Sequence, residues 1–173
     1  MGSGRASRLF SRIGTYNRLS THRERVESVI VKRRLHRCTI PLRWGDMDAM
    51  GHVNNTVYFR FMEQARVEWL SLNSAAFVQG VDAPVIVSAG CVFMKPITYP
   101  GVMQVDMSCV RIGGSSFDTE YEIRVAGEVD PAALGTARVV WTSVRTGRSV
   151  QIPTPVREKL EAAPEQTDGE RGC

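Results

Sequence analysis

The sequence predicts an α+β domain in which an antiparallel sheet wraps around one long central helix. Two observations lead to this prediction: a single run has apolar residues at helical spacing, and strand-like segments both precede and follow it. The chain has 173 residues, the length of one domain that can bury a proper core. Hydrophobic residues make up 43% and charged residues 23%, which is typical of a globular protein.

The elements follow in chain order. Residues 37–43 alternate apolar and polar side chains and predict a first strand. A helix is predicted over 55–72, where one face collects Tyr58, Phe61, Met62, Ala65 and Trp69. Further strands are predicted over about 84–96, 102–112, 116–125 and 135–145, with turns at Gly113-Gly114 and Gly147. Pro96 and Pro100 bracket a segment that should be an edge or a loop.

The two ends of the chain differ from its middle. Residues 1–37 hold ten Lys and Arg against two acids, so the net charge of +4 comes from this segment alone. We therefore expect a basic, flexible arm at 1–35, a domain at 36–160 and a polar tail at 161–173. An Arg- and Ser-rich start is also typical of a mitochondrial transit peptide. We expect a cytoplasmic protein, or a matrix protein if the arm is such a signal.

Several classes of function lack their sequence signals. The four cysteines lie far apart without metal-ligand spacing, so we expect neither a metal site nor a disulfide framework. No apolar run approaches the length of a membrane span, and the positive charge is confined to the arm, so we expect no membrane and no nucleic-acid partner. A serine-hydrolase elbow, a phosphate loop and a dinucleotide fingerprint are missing, and we expect no cofactor.

The segment before the helix concentrates residues that can do chemistry. Asp46, Asp48, His52, Asn54 and Asn55 lie in one short loop that leads into the helix. His52 is the one histidine expected in the folded region, because the other two lie in or beside the arm. A helix N-terminus offers unpaired N–H groups and partial positive charge, so a carboxylate beside it supplies a base or nucleophile next to an anion-stabilising site.

The same residues carry a family resemblance. Asp-x-Asp-x-x-Gly-His-Val-Asn-Asn at 46–55, followed by an aromatic-rich helix, resembles the acyl-CoA thioesterases of the hot-dog fold, in particular the 4-hydroxybenzoyl-CoA thioesterase-like family. Residues 93–101 and 110–117 resemble the second and third strands of that fold and the turn between them. The resemblance covers roughly 36–155 and implies the same fold as the periodicity does.

The resemblance also implies roles for three residues. Asp48, the second acid of the pair, corresponds to the catalytic carboxylate, which acts as nucleophile or general base. The backbone N–H of Asn55 corresponds to the donor that polarises the thioester carbonyl. His52 matches a histidine of the catalytic network in plant acyl-carrier-protein thioesterases, although those enzymes carry an asparagine where this chain has Met50. We expect His52 to position groups or handle a proton.

Other residues near this block can be explained by structural roles. Asp46 is expected to fix the loop as an Asx turn, and Asn54 to cap the helix. Glu63 and Arg66 are spaced to pair on the helix. The residues expected to contact substrate are Asn54, Tyr58, Glu63, Arg111, Gly113 and Ser115. A Gly-Gly turn needs no functional explanation, so the last three rest on the resemblance alone.

The sequence thus predicts an acyl-CoA thioester hydrolase. Two alternatives stay open: an acyl-carrier-protein thioesterase, and a non-catalytic acyl-CoA-binding hot-dog domain. A homodimer or a dimer of dimers is expected, because one helix cannot cover all the apolar strand positions. Some of the apolar strand positions Ile86, Val92, Met103, Val105 and residues 139–141 are expected to be buried between subunits.

Overall fold

The computed structural model describes residues 31–73 and 82–166. The elements in chain order are β1 (Lys32–Pro41), a 3₁₀ turn (Trp44–Asp46), α1 (Asn55–Asn73), β2 (Ala83–Phe93), β3 (Val102–Ile112), β4 (Ser116–Val125), β5 (Ala133–Thr142), α2 (Thr154–Glu161) and β6 (Glu165–Gln166). The predicted long helix and the predicted strand–helix–meander order are confirmed, and β3 and β4 have their predicted bounds. β2 and β5 end earlier than predicted because residues 94–101 and 143–148 form a loop and a turn.

The six strands form one antiparallel sheet in the order β2-β5-β4-β3-β1-β6. Pro41 at the end of β1 pairs with Val102 at the start of β3, so the loop that follows β1 lies at the end of the sheet where β3 begins. The turn between β3 and β4 lies at the other end, since β3 has 11 residues and spans roughly 34 Å. This geometry decides which predicted site residues can meet within one chain.

Helix α1 lies across the inner face of the sheet. Met62 meets β5 at Gly135, and Arg66 donates to the Tyr121 hydroxyl of β4 at 3.1 Å. Trp69 packs edge-on against Phe117 of β4, with 5.9 Å between ring centroids. Burying one face of the helix against several strands stabilises both elements. Within the described ranges, no helix has the length and apolar character needed to cross a membrane.

The inner face of the sheet is covered by its own chain. Met103, Val105, Val139 and Trp141 are each at most 2% exposed. These four positions are buried within their own chain, whereas Val92, another position considered for burial between subunits, is 65% exposed. β2 carries four exposed apolar side chains, those of Val85, Val87, Val92 and Phe93.

The basic start of β1 belongs to the folded domain. Arg33 pairs with Glu165 at 2.8 Å, and Lys32 pairs with Glu122 at 2.9 Å. His36 hydrogen-bonds Glu68 of α1 at 2.8 Å. The expectation that His52 is the one histidine of the domain is therefore wrong. The sequence Lys-Arg-Arg-Leu-His-Arg resembles a solvated basic tail, yet the sheet supplies acids opposite these cations.

Both ends of the domain extend past their expected boundaries. β1 begins at Lys32, and β6 lies in the segment expected to be tail and pairs with the first residues of β1. α2 buries Val156 and Leu160, and Arg157 donates to the carbonyl of Gly114 at 3.1 Å. The expectations for residues 1–30 and 167–173 lie outside the described residues.

Candidate active site

Asp46 ties together the two ends of the loop between β1 and α1. Its carboxylate accepts the N–H of Arg43 at 2.8 Å, at the start of the 3₁₀ turn. Its carbonyl accepts the N–H of Asn54 at 2.9 Å, at the start of the helix. Both contacts are local and backbone-directed, which is the loop-fixing geometry that an Asx residue provides.

Asp48 begins a tight reversal inside this loop. The Gly51 N–H donates to the Asp48 carbonyl at 3.0 Å, and the Asp48 N–H donates to the His52 carbonyl at 2.8 Å. Met47 and Val53 pair across the reversal as an isolated bridge. Gly51 has a φ of 78°, a left-handed conformation that favours glycine. The glycine of the motif is thus required by the turn that presents Asp48.

The Asp48 carboxylate is oriented by the backbone of the same turn. Oδ1 accepts the N–H of Met50 at 2.8 Å and, more weakly, the N–H of His52 at 3.4 Å. Oδ2 accepts no hydrogen bond from the residues that the structure describes. The Asx turn and the catalytic role are therefore compatible, since one oxygen anchors the side chain and the other remains available.

A groove of about 290 Å³ opens in front of Asp48. Its wall consists of Trp44, Met47, Asp48, Gly51, Thr98 and Tyr99. Trp44 and Tyr99 meet edge to face with 5.9 Å between ring centroids, and 77% of Trp44 is exposed. The groove therefore combines one carboxylate with two exposed aromatic rings.

The start of α1 leaves one amide without a partner. Asn54 caps the helix: its Oδ1 accepts the Thr56 N–H at 2.9 Å, and its carbonyl accepts the Val57 N–H at 2.9 Å. The N–H of Asn55 donates no hydrogen bond within the described ranges. An unpaired N–H at a helix start can stabilise a negative charge, which is the property expected of Asn55.

His52 meets Asp48 through its backbone. Its N–H and carbonyl both contact Asp48, and its half-buried ring makes no hydrogen bond within the described part of the chain. Its predicted role in positioning or proton handling stays a prediction.

Tyr58 and Glu63 lie on opposite faces of α1. Tyr58 is 3% exposed and packs against Phe61 and Phe93, and burial raises the pKa of its hydroxyl to about 12. It supports the helix from the core and does not line the Asp48 groove. Glu63 is exposed and lines a second groove between α1 and β2, together with Phe59, Arg60, Met62, Arg66, Ile86 and Ala89.

The spacing-based pairing of Glu63 with Arg66 is not found among the described ion pairs. Arg66 instead donates to the Met62 carbonyl at 3.4 Å and to the Tyr121 hydroxyl at 3.1 Å. The sheet offers a fixed acceptor below the helix, whereas a Glu–Arg pair on the surface would be worth little.

Arg111, Gly113 and Ser115 lie away from Asp48 within one chain. Arg111 lies near the end of β3 and Gly113 and Ser115 in the β3–β4 turn, at the far end of the sheet, where the backbone N–H of Trp141 donates to the Ser115 carbonyl at 2.8 Å. Because β3 spans roughly 34 Å, these residues cannot reach the groove of their own chain. A role in substrate binding would require a second subunit.

Sequence reasoning missed Trp44, Met47, Thr98 and Tyr99 as groove residues. Thr98 and Tyr99 were predicted to lie in an edge or a loop, and they lie in a loop. Their approach to Asp48 depends on the Val53 N–H donating to the Ile97 carbonyl at 2.8 Å. No local pattern predicts a contact between segments so far apart in the chain.

Comparison with protein families gives one match that covers most of the domain. A family model described as "Thioesterase-like superfamily" matches residues 42–160. Among curated proteins, the long-chain acyl-CoA thioesterase FadM of Escherichia coli is 23% identical over 131 residues, covering 70% of this chain and 94% of FadM.

Solved structures share the fold. The PA5185 protein of Pseudomonas aeruginosa is 30% identical with a TM-score of 0.71, and the match covers 77% of this chain and 94% of that one. A thioesterase from Thermus thermophilus, solved with coenzyme A and Zn, is 29% identical with a TM-score of 0.64, covering 73% of this chain and 98% of that one. The predicted hot-dog fold is confirmed.

Proposed function

The chain belongs to the thioesterase-like superfamily, and from this membership we propose that it is an acyl-CoA thioesterase. One arrangement carries the proposal: Asp48 faces an open groove, and the unpaired amide of Asn55 begins the helix that follows the same loop. Thioester cleavage requires a base and a hydrogen-bond donor to the oxyanion, and these are the two groups present here.

In the proposed reaction, Asp48 acts as a general base. Its available oxygen takes a proton from water while the water oxygen attacks the thioester carbonyl carbon. The carbonyl oxygen becomes an oxyanion, which the N–H of Asn55 and the positive end of α1 stabilise. The tetrahedral intermediate then breaks its C–S bond, and the departing thiolate takes up the proton that Asp48 holds, which restores the base. The products are a carboxylic acid and a free thiol.

The alternative is that Asp48 attacks the carbonyl carbon itself and forms an anhydride. A single turnover in water labelled with oxygen-18, with enzyme in excess, can detect the second route. A general base leaves Asp48 unlabelled. Label found in the Asp48 carboxylate would show that it is the nucleophile, since water can open the anhydride at the aspartyl carbon.

The names of two relatives support coenzyme A as the carrier. FadM is described as a long-chain acyl-CoA thioesterase, and the Thermus thermophilus enzyme was solved with coenzyme A. The Asp48 groove has Trp44, Met47 and Tyr99 in its wall and Asp48 as its one charged member, so it favours an apolar fatty or aryl acyl group.

We propose a homodimer, formed through β2, as the working assembly. β6 pairs only with Lys32 and Arg33 at the start of β1, and the outer edge of β2 is unpaired in the described chain. Val87 is 56% exposed and Val92 is 65% exposed on this strand. An exposed apolar edge strand is a template for pairing with another strand, and a second copy offers the same strand.

The groove between α1 and β2 lies beside this edge, so a second copy would cover it. It would also bring in side chains that one chain cannot supply, among them those of the β3–β4 turn. The proposed contribution of Arg111, Gly113 and Ser115 to substrate binding depends on this assembly.

The test of the proposed activity is thiol release, followed colorimetrically, from a panel of acyl-CoAs of differing acyl group and from an acyl-acyl-carrier-protein. We expect turnover of apolar acyl-CoAs and a loss of about a hundredfold or more in kcat for Asp48→Asn, which keeps the Oδ1 hydrogen bonds but loses the base. Asp130→Asn, at an exposed turn position, is the matched control and should keep full activity.

Near-normal turnover by a folded Asp48→Asn protein would overturn the mechanism. Binding of acyl-CoA without turnover would show a sensor instead of an enzyme. Preference for the carrier-protein substrate would leave the chemistry standing and change the carrier.

A further inference from the structure

His36, Cys38 and Glu68 bring three different metal-ligating side chains together. One ligand atom from each, an imidazole nitrogen, a thiol sulfur and a carboxylate oxygen, lies within 4.8 Å of the other two. The shortest contact is 2.8 Å, between Nε2 of His36 and Oε2 of Glu68. The cluster lies outside both grooves described above.

The fold creates this cluster from distant parts of the chain. His36 and Cys38 are two residues apart on β1, so their side chains point to the same face of the sheet. That face packs against α1, because Cys38 pairs in register with the fully buried Val105. Glu68 approaches from α1, and the Gln64 amide holds its other oxygen at 2.7 Å. Gln64 and His36 thus each contact one oxygen of the Glu68 carboxylate.

The donor set selects among metal ions. Mg²⁺ and Ca²⁺ prefer oxygen ligands, whereas a thiolate with an imidazole and a carboxylate suits Zn²⁺. Three protein ligands leave one position of a tetrahedron for water. The side chain of Glu68 is 37% exposed and that of His36 is 18% exposed, so the cluster is open to solvent on one side.

We propose that His36, Cys38 and Glu68 form a zinc-binding site that joins β1 to the second half of α1. Glu68 lies 13 residues after Asn55 on the same helix, which places it about 20 Å along the helix axis from the proposed oxyanion donor. The site is therefore separate from thioester chemistry, and it stands whether or not the proposed function is correct.

Binding requires two small changes in the cluster. Zinc bonds to nitrogen and oxygen of about 2.0–2.2 Å place neighbouring ligands about 3.3 Å apart in a tetrahedron, so the His36–Glu68 contact would open by about 0.5 Å. The Cys38 side chain is 7% exposed, and a bound metal ion would displace the proton of its thiol. The first change is within the reach of side-chain rotamers, and the second is the loss of one proton.

Cobalt(II) is the probe, because its absorption reports both a thiolate ligand and the coordination number. The full chain is freed of metal with a chelator and titrated with Co²⁺. We expect one Co²⁺ per chain, a thiolate-to-metal charge-transfer band in the near ultraviolet and intense visible bands typical of four-coordination. Added Zn²⁺ should abolish these bands by displacement and raise the Tm of the protein.

Variants test whether the three residues are the ligands. Cys38→Ser should abolish the charge-transfer band, and His36→Gln or Glu68→Gln should weaken Zn²⁺ binding by at least about 100-fold. Gln64→Leu, which removes the amide that holds Glu68, should weaken it by about tenfold. Cys91→Ser is the matched control, because Cys91 lies on β2 at the opposite edge of the sheet, and it should bind as the wild type does.

The wild-type titration alone can overturn the proposal. A folded chain that shows no charge-transfer band with Co²⁺, or whose band survives Cys38→Ser, does not use this site. In that case the His36–Glu68 hydrogen bond is an ordinary strand–helix contact and Cys38 is a packing residue.

Discussion

A β-carbon built on Gly135 of β5 would lie 2.7 Å from Sδ of Met62 on α1. Met62 is 1% exposed, so its side chain has little space into which it can move. Glycine at this position lets the helix approach the sheet closely. This contact sets the distance between α1 and the sheet. It therefore also shapes the groove between α1 and β2.

We predict that Gly135→Ala destabilises the protein by about 1–3 kcal/mol, because overpacking a closed core forces neighbours off their rotamers. Urea unfolding measures the effect. In a Met62→Ala background the added cost of Gly135→Ala should fall, since the clashing sulfur is gone. Gly114→Ala is the control, because a β-carbon there meets nothing within 4 Å. Equal costs in both backgrounds would contradict the contact.

The two acids of the loop should separate into one structural and one catalytic residue. Asp46→Ala removes the acceptor for the Arg43 N–H and should cost about 1 kcal/mol of stability, as the loss of a cap does. Its kcat should fall far less than that of Asp48→Asn. Parallel unfolding and thiol-release measurements on both variants check this. A reversed pattern would move the catalytic role to Asp46.

Asn54→Ala should affect both stability and turnover. The variant loses the acceptor for the N–H and hydroxyl of Thr56, which should cost about 0.5–2 kcal/mol. Fraying of the first turn would also misplace the Asn55 N–H, with a loss in kcat below the roughly 100-fold expected for removing a donor. Asn54→Ser retains a capping oxygen and should recover most of both. An Asn54→Ala protein with unchanged kcat would separate the cap from catalysis.

Cys109 should make the protein less stable at alkaline pH. Burial raises the pKa of its thiol to about 11, above the value of about 8.5 in an unfolded chain. The folded state therefore prefers the neutral thiol. This contribution is complete below about pH 8.5 and is lost as the pH rises towards and through about 11.

Urea unfolding of wild type and Cys109→Ala over this pH range checks the Cys109 prediction. The difference in unfolding free energy, wild type minus variant, should shrink as the pH rises. Taking the difference removes the contributions of lysines and tyrosines that titrate in both proteins. A difference independent of pH would contradict the buried thiol.

Val87→Lys should convert the proposed dimer into monomers, because a charge on an open strand edge opposes pairing. Light scattering at micromolar concentration measures the mass. Val144→Lys, on an exposed turn, is the control and should leave the mass unchanged. If the wild type is itself a fully active monomer, both the assembly and the shared substrate site are refuted.

Much of the fold could be read from local patterns. The 3.6-residue periodicity of 55–72 and the alternation in β3 and β4 reflect faces that each element must bury, so their position and type were predictable. The start of β1 at Lys32 was not predictable. Lys32 pairs with Glu122 and Arg33 pairs with Glu165, and only the folded sheet brings these acids opposite the two cations.

The candidate site divides in the same way. Asp48, His52 and Asn55 lie within one loop, and the residues themselves form the turn and the cap that position them. Trp44 and Tyr99 meet in the groove only because residues 94–101 fold back against that loop. The same holds for His36 and Glu68, which lie 32 residues apart.

What the sequence determined by itself is the local chemistry: a carboxylate on a glycine turn, followed by a capped helix start. Hydrogen bonds between residues that are close in the sequence stabilise these features, and such bonds do not depend on distant parts of the chain. The tertiary structure decided which distant side chains share a groove, a cluster or an edge. Those contacts depend on strand order and register, which only the burial of the whole sheet against α1 selects.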